Sequence, residues 1–205
     1  HNPSEYNGMK LEGKFGVSLG EGAGIEEIKE MVLNGGLEKK GKLAKESEII
    51  KKDYLKEYVY FLTEKLKGED FSSLNVAIDA GNAMAGFILP ALFEKLKIKY
   101  FPLYFELDGT FPNHEANPIK QENLRDLTQL VSDKKADLGV AFDGDADRIG
   151  FVDSKGRIVP NDFVLAALAK FFLQERPGAK IIYGVSSSRI VRETIEQGGG
   201  VPLIC

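Results

Sequence analysis

The chain carries two hydrophobic rhythms. Near the N-terminus, Ile25, Ile28, Met31 and Val32 recur at helical spacing, and Asn34-Gly35-Gly36 supplies a stop, which predicts a helix over residues 24–33. A second stripe of Ile50, Tyr54, Tyr58, Phe61, Leu62 and Leu66 predicts a helix over about 49–67, ended by Gly68. Turn residues crowd the segments His1-Asn2-Pro3-Ser4 and Tyr6-Asn7-Gly8, residues 9–17 read as holding a short strand, and 39–45 as a polar connector.

From residue 74 the pattern changes. Residues 74–78 form a short β-branched run, Gly81-Asn82 a turn, and 83–97 a helix with Met84, Phe87, Ile88, Leu92 and Leu96 on its apolar face. A strand at 99–105, a helix at 122–131 and a strand at 136–142 follow. Strands at 149–153 and 158–159 flank a hairpin turn at Ser154-Lys155-Gly156. Asp162 is placed to cap a helix at 163–174, which Arg176-Pro177-Gly178 ends. A strand at 180–183, a helix at 188–196 and a strand start at 201–205 complete the chain, leaving this last unit unfinished. Alternation of strands and helices predicts an α/β fold: mixed, mainly parallel sheets flanked by helices.

Composition narrows the class. Hydrophobic residues at 43% and charged residues at 28% fit a globular protein rather than a disordered one. The formal net charge of −4 argues against a nucleic-acid binder. Cys205 is the single cysteine, so an intrachain disulfide and a Cys-rich zinc site are excluded, and a reducing, cytoplasmic location is expected. The densest apolar run, 163–173, is too short for a bilayer span and contains Lys170, and no signal peptide is evident, so no membrane partner is expected. The chain starts at His1 without Met and stops at Cys205 after an apolar run, so it reads as a piece of a longer protein.

The sharpest chemical signal is Asp143-Gly144-Asp145-Ala146-Asp147-Arg148, directly after an apolar strand. Three carboxylates in one tight loop repel one another unless a cation neutralises them. Hard oxygen ligands favour Mg²⁺ or Ca²⁺. The loop does not continue as an EF-hand, because Arg148 and Ser154 occupy the positions that need Gly and Glu. Arg148 offers a planar positive fork suited to phosphate. A solvated acidic turn is the plain alternative, and the strand's C-terminal edge favours the metal.

Other motifs are weaker. The glycines of 20–24 miss the dinucleotide spacing by one position. Gly81 and Gly86 have phosphate-loop spacing, but Phe87 and Ile88 replace the gripping Lys and Ser/Thr, so both glycine clusters read as turns. Asp79-Ala80-Gly81-Asn82 marks a strand-to-helix turn at the sheet's upper edge. His114 lies in a polar loop and reads as a surface histidine rather than a ligand contact. Ser186-Ser187-Ser188-Arg189 opens a helix, where phosphate binding and simple N-capping remain equally open.

Together these motifs resemble the α-D-phosphohexomutases, in the phosphomannomutase/phosphoglucomutase branch. The 143–148 loop resembles that family's metal loop. His1-Asn2-Pro3 is similar to the end of its active-site motif Ser-His-Asn-Pro, and Tyr6-Asn7-Gly8-Met9-Lys10 to the segment that follows. Asp108 to Pro118, with Phe-Pro-Asn-His inside, resembles the phosphomannomutase/phosphoglucomutase branch, Asp79 to Gly86 resembles the family's second-domain turn, and the motifs occur in family order.

The resemblance implies residues 1–48 as the tail of domain 1, 49–156 as a complete domain 2, and 157–205 as the start of domain 3. It implies a mutase that interconverts hexose 1- and 6-phosphates of mannose or glucose. The route runs through a phosphoserine and a hexose 1,6-bisphosphate intermediate, with Mg²⁺. Asp143, Asp145 and Asp147 would hold Mg²⁺, and Arg148, Ser187 and Arg189 would contact phosphate. His1, Asn2 and Lys10 would line the phosphoserine site, Lys10 as an acid–base or phosphate-stabilising group. Two departures stand out: the serine would lie just before His1, and Ser186 occupies a position where some relatives have Lys. Without the serine, this chain alone is expected to be inactive. A phosphoglucosamine mutase and a non-catalytic divalent-metal module are the alternatives.

Overall fold

The computed structural model describes residue 6 and residues 8–35 and 51–205. The chain forms two compact units, 1–54 and 55–205. In the first, a 3₁₀ turn at Lys14–Gly16 and an isolated antiparallel bridge between Glu12 and Ser18 stand where a strand was expected. Phe15 adopts a left-handed conformation (φ 67°) inside that turn, which prevents an extended run. Helix α1 covers Ile25–Leu33, as the spacing predicts. The connector expected at 39–45 lies outside the described residues.

The second unit begins with α2 (Leu55–Lys65). Residues 51–54 are not helical, and 49–50 lie outside the described residues, so the described helix is shorter than predicted. Its apolar face also differs. Val59 is buried at 5% exposure, whereas Tyr54, Tyr58 and Phe61 of the expected stripe are exposed. The helix packs against α3, with Leu55, Val59 and Tyr60 lining the groove beside Ala91.

Strands β1 (Asn75–Asp79), β2 (Lys99–Leu103), β3 (Leu138–Phe142), β4 (Ile149–Asp153) and β5 (Ile158–Val159) form one sheet, ordered β2-β1-β3-β4-β5. β1 pairs in parallel with β2 and β3, while β3–β4 and β4–β5 are antiparallel. Between β1 and β2 runs α3 (Met84–Leu96), and α4 (Arg125–Lys134) precedes β3 after a 3₁₀ turn at Gln121–Leu124.

Strand side chains alternate between faces. Val76, Ile78 and Val140 pack with Ala85, Leu89 and Phe93 of α3, while Ala77, Ala141 and Val152 pack with Leu127 and Val131 of α4. The sheet is thus covered on both faces, and the interior strand β1 is almost wholly buried. Helix α3 uses only part of the predicted apolar face: Met84 and Phe87 are exposed, Ile88, Leu92 and Leu96 are partly buried, and Ala85, Gly86, Leu89 and Phe93 are buried.

Helix α5 (Asn161–Glu175), β6 (Lys180–Tyr183), α6 (Arg189–Gln197) and β7 (Val201–Ile204) follow, with β6 and β7 forming a separate parallel pair. Ala169 and Leu173 of α5 pack against Tyr183, Val191 and Ile195. Pro160, not Asp162, is the N-cap of α5. Asp162 lies in the first turn, where a negative charge favours the helix dipole. Phe163, Phe171 and Phe172 of α5 are exposed, as are Ile182 and Ile204 of the small sheet. Among the described residues no helix is long and apolar enough to cross a membrane.

Candidate metal centre

The loop after β3 is built by the antiparallel turn from β3 into β4. Asp143 N–H donates to the Arg148 carbonyl (3.2 Å), and Ala146 N–H donates to the Asp143 carbonyl (3.2 Å). Ala146 sits in the left-handed region (φ 62°), a conformation that keeps the loop tight and that a β-branched residue would resist. From the neighbouring turn, Met84 N–H donates to the Gly144 carbonyl (3.3 Å).

The three aspartates differ in setting. Asp143 is fully buried (0% exposed), whereas Asp145 and Asp147 are exposed. One oxygen from each lies within 4.8 Å of the others. Asp143 Oδ1 accepts the Arg148 backbone N–H (3.1 Å), and Oδ2 accepts Arg148 Nε–H (2.6 Å). Burial works against its charge, but hydrogen bonds from Arg148 and Asp147 hold its carboxyl below the usual range. Asp147 shifts the other way. Its hydrogen bond to Asp143, some loss of hydration and the negative charges of Asp143 and Asp145 push its carboxyl up. Arg148 Nε, 3.6 Å from Asp147 Oδ1, offsets part of this repulsion.

Three carboxylates against one guanidinium leave excess negative charge on a loop of six residues. An all-oxygen, hard donor set this compact fits a small divalent cation. The expectation for Arg148 is refined, because its Nε is engaged by the loop's own Asp143.

The other expected site residues fall elsewhere. Lys10 is exposed in the first unit. His1 and Asn2 lie outside the described residues. Ser187 and Arg189 lie at the junction of β6 and α6, in the other sheet. Ser188 caps α6 by position without a side-chain bond, and Arg189 pairs with Glu193 (Nη2–Oε1, 3.1 Å).

Beside the metal loop lies a second polar cluster. His114 is not a surface histidine: its side chain is 14% exposed. Its Nε2 lies 2.9 Å from Oδ2 of Asp79, which is 1% exposed, and its Nδ1 lies 2.8 Å from the Glu115 carbonyl. The hydrogen bond that its ring donates to Asp79 raises its pKa against the opposing cost of burial, helped by the Glu115 carbonyl and the charges of Asp79 and Asp126. Its ring meets Tyr104 edge-on, with centroids 5.3 Å apart. Tyr104 donates to Asp126 (2.6 Å), and that bond with burial and the nearby carboxylates pushes its hydroxyl up to about 12. Spacing cannot reveal a partner 35 residues away. The available signal was Asp79 at the end of an apolar strand, where a buried carboxylate must find partners.

Comparison with known proteins gives these features a family. The profile described as "Phosphoglucomutase/phosphomannomutase, alpha/beta/alpha domain II" matches residues 53–156. A phosphomannomutase/phosphoglucomutase of Pseudomonas aeruginosa (PAO1) is 38% identical over 204 residues, covering 100% of this chain and 42% of its own length. A phosphoglucomutase of Neisseria meningitidis serogroup B is 36% identical over 200 residues, covering 98% of this chain and 42% of its own length. The chain therefore spans well under half the length of these curated relatives. A crystal structure of a phosphoglucomutase/phosphomannomutase family protein from Burkholderia thailandensis superposes with a TM-score of 0.81 at 31% identity, covering 100% of this chain and 43% of that one. With a sandwiched α/β/α sheet, an aspartate loop at its edge and a profile match over half its length, the chain belongs to the phosphoglucomutase/phosphomannomutase family.

Proposed function

We propose that the complete polypeptide carrying this chain is a cytoplasmic phosphomannomutase/phosphoglucomutase that interconverts hexose 1- and 6-phosphates. The observation that carries this reading is the convergence of Asp143, Asp145 and Asp147 on one loop at the edge of the sheet. In this reading residues 1–48 end a first domain, 49–156 form the second, and 157–205 begin a third.

Asp143, Asp145 and Asp147 are the residues that would hold Mg²⁺. When bound, the ion offsets negative charge on the phosphoserine and the transferring phosphoryl group. Arg148, braced by Asp143 through Nε, orients its guanidinium for phosphate at the loop's rim. His1, Asn2 and Lys10 would line the phosphoserine of the complete polypeptide, and Lys10 would move a proton or steady the phosphoryl oxygens. Ser187 and Arg189 contact the substrate's phosphate. A hexose 1,6-bisphosphate is the intermediate that lets the phosphoryl group exchange positions.

The test is Asp145→Ala in the complete polypeptide, assayed by coupled conversion of glucose 1-phosphate to glucose 6-phosphate. Activity should be lost while the circular dichroism spectrum is unchanged, because Asp145 is exposed. Retained activity would refute the metal assignment.

A further inference from the structure

The His114–Asp79 pair has a consequence for the metal loop. The Glu115 carbonyl can only accept a hydrogen bond, so the 2.8 Å contact requires a proton on His114 Nδ1. The 2.9 Å contact between Nε2 and Asp79 Oδ2 then requires one further proton between them. The raised pKa of His114 assigns that proton to the imidazole, making a buried ion pair.

Asp79 also works locally. Its other oxygen, Oδ1, accepts Gly81 N–H (2.9 Å) and so shapes the turn between β1 and α3. In that turn Ala83 N–H donates to the Ala80 carbonyl (3.0 Å), and the next residue, Met84, holds the Gly144 carbonyl. The loop bearing His114 lies against the same turn. A Cβ on Gly81 would come 3.1 Å from the Ala116 Cβ and 3.6 Å from the carbonyl oxygen of Phe142, the last residue before the metal loop. Asn82 ties the two further, because its Oδ1 accepts Asn113 Nδ2–H (2.8 Å) and its carbonyl accepts Asp108 N–H (3.0 Å).

We propose that His114 is a positioning residue for the metal loop. Through its pair with Asp79 it fixes the β1–α3 turn, and the turn's Met84 N–H fixes the Gly144 carbonyl between two of the cation's carboxylates. The inference rests on the metal reading above, and it assigns His114 no contact with substrate or ion. Outer residues that orient metal ligands commonly change affinity by 10–100-fold. His114 acts through two further links, so about a tenfold loss is expected.

The experiment compares three forms of the complete polypeptide: the parent, His114→Gln and Phe93→Leu. Glutamine keeps one donor for Asp79 but cannot also bond the Glu115 carbonyl in the ring's geometry. Phe93 is buried on the same helix, nine residues beyond Met84 and about 13 Å along the axis, and it controls for general loosening. Mn²⁺ and Mg²⁺ affinities are read by isothermal titration calorimetry, and the bound Mn²⁺ by its electron paramagnetic resonance spectrum. His114→Gln should weaken both ions about tenfold and broaden the spectrum, excess Mg²⁺ should restore its mutase kcat, and Phe93→Leu should leave affinity within twofold. Unchanged affinity in His114→Gln, or an equal loss in Phe93→Leu, overturns the positioning role alone. A parent that takes up neither ion overturns the metal reading and this inference with it.

Discussion

Gly86→Ala sets two opposing effects against each other. Within a helix, replacing Gly by Ala gains up to about 1 kcal/mol from backbone propensity. Gly86 lies in the first turn of α3, however, and a Cβ there would come 2.3 Å from the Phe105 carbonyl oxygen and 2.9 Å from the Phe105 Cα. An ordinary carbon–oxygen approach is about 3.3–3.6 Å, so helix and loop must separate by roughly 1 Å. The loop cannot yield easily. Asn82 donates its backbone N–H to the Tyr104 carbonyl (2.8 Å) and its side-chain amide to the Glu106 carbonyl (3.0 Å), pinning both neighbours of Phe105. Overpacking of this kind costs about 1–3 kcal/mol and occasionally more, so it outweighs propensity. A net loss of about 2 kcal/mol is expected, a fall in Tm of roughly 4–8 °C for a unit of this size. Thermal unfolding followed by circular dichroism measures it. Gly109→Ala is the control, since a Cβ there meets nothing within 4 Å, and it should be nearly neutral. A Tm for Gly86→Ala equal to or above the parent's would refute the steric reasoning.

Two further outcomes are expected. Leu127→Ala removes a fully buried side chain between α4 and the sheet and should cost about 2–5 kcal/mol in urea unfolding, with a loss below 1 kcal/mol contradicting the packing described. His114 should make stability depend on pH: its folded pKa is raised above the ordinary 6.5 by Asp79, with Asp126, Tyr104 and the Glu115 carbonyl also facing it. A raised folded pKa means the stabilisation is complete below about 6.5 and is lost as pH rises through the raised value. The Tm gap between the parent and His114→Gln should therefore be larger at pH 6 than at pH 9, and a gap constant with pH would sink the ion-pair assignment.

The aspartate cluster was legible because it is contiguous: three aspartates alternating with small residues after an apolar strand need no tertiary contact to be noticed. The strands were legible for a similar reason, since their burial follows short apolar runs. Helix faces were harder. In α3 the count of large apolar side chains pointed to Met84 and Phe87, but Ala85 and Gly86 face inward because only small residues permit the close approach to Phe105. In α2 the aromatic stripe misled in the same way, with Val59 taking the buried place. His114 was misread because its partner is fixed by strand β1 and by a loop that returns across it. Gly81 and Gly86, matched by spacing to a phosphate loop, serve different ends: a left-handed turn (φ 55°) and a helix–loop contact.

The arrangement of the carboxylates has a consequence for the order in which the protein assembles. All three come from a five-residue stretch joining antiparallel neighbours, so their encounter needs only one hairpin to close, a step of about 1–10 μs. The His114–Asp79 pair must close a separation of 35 residues, and β1 reaches β3 only after a longer excursion through α3, β2 and α4. On the metal reading proposed above, a nascent chain would own the ligands before their brace. The ion site would then mature in two stages, first as a loose local trap and later as a fixed one, once the distant parts of the sheet have come together.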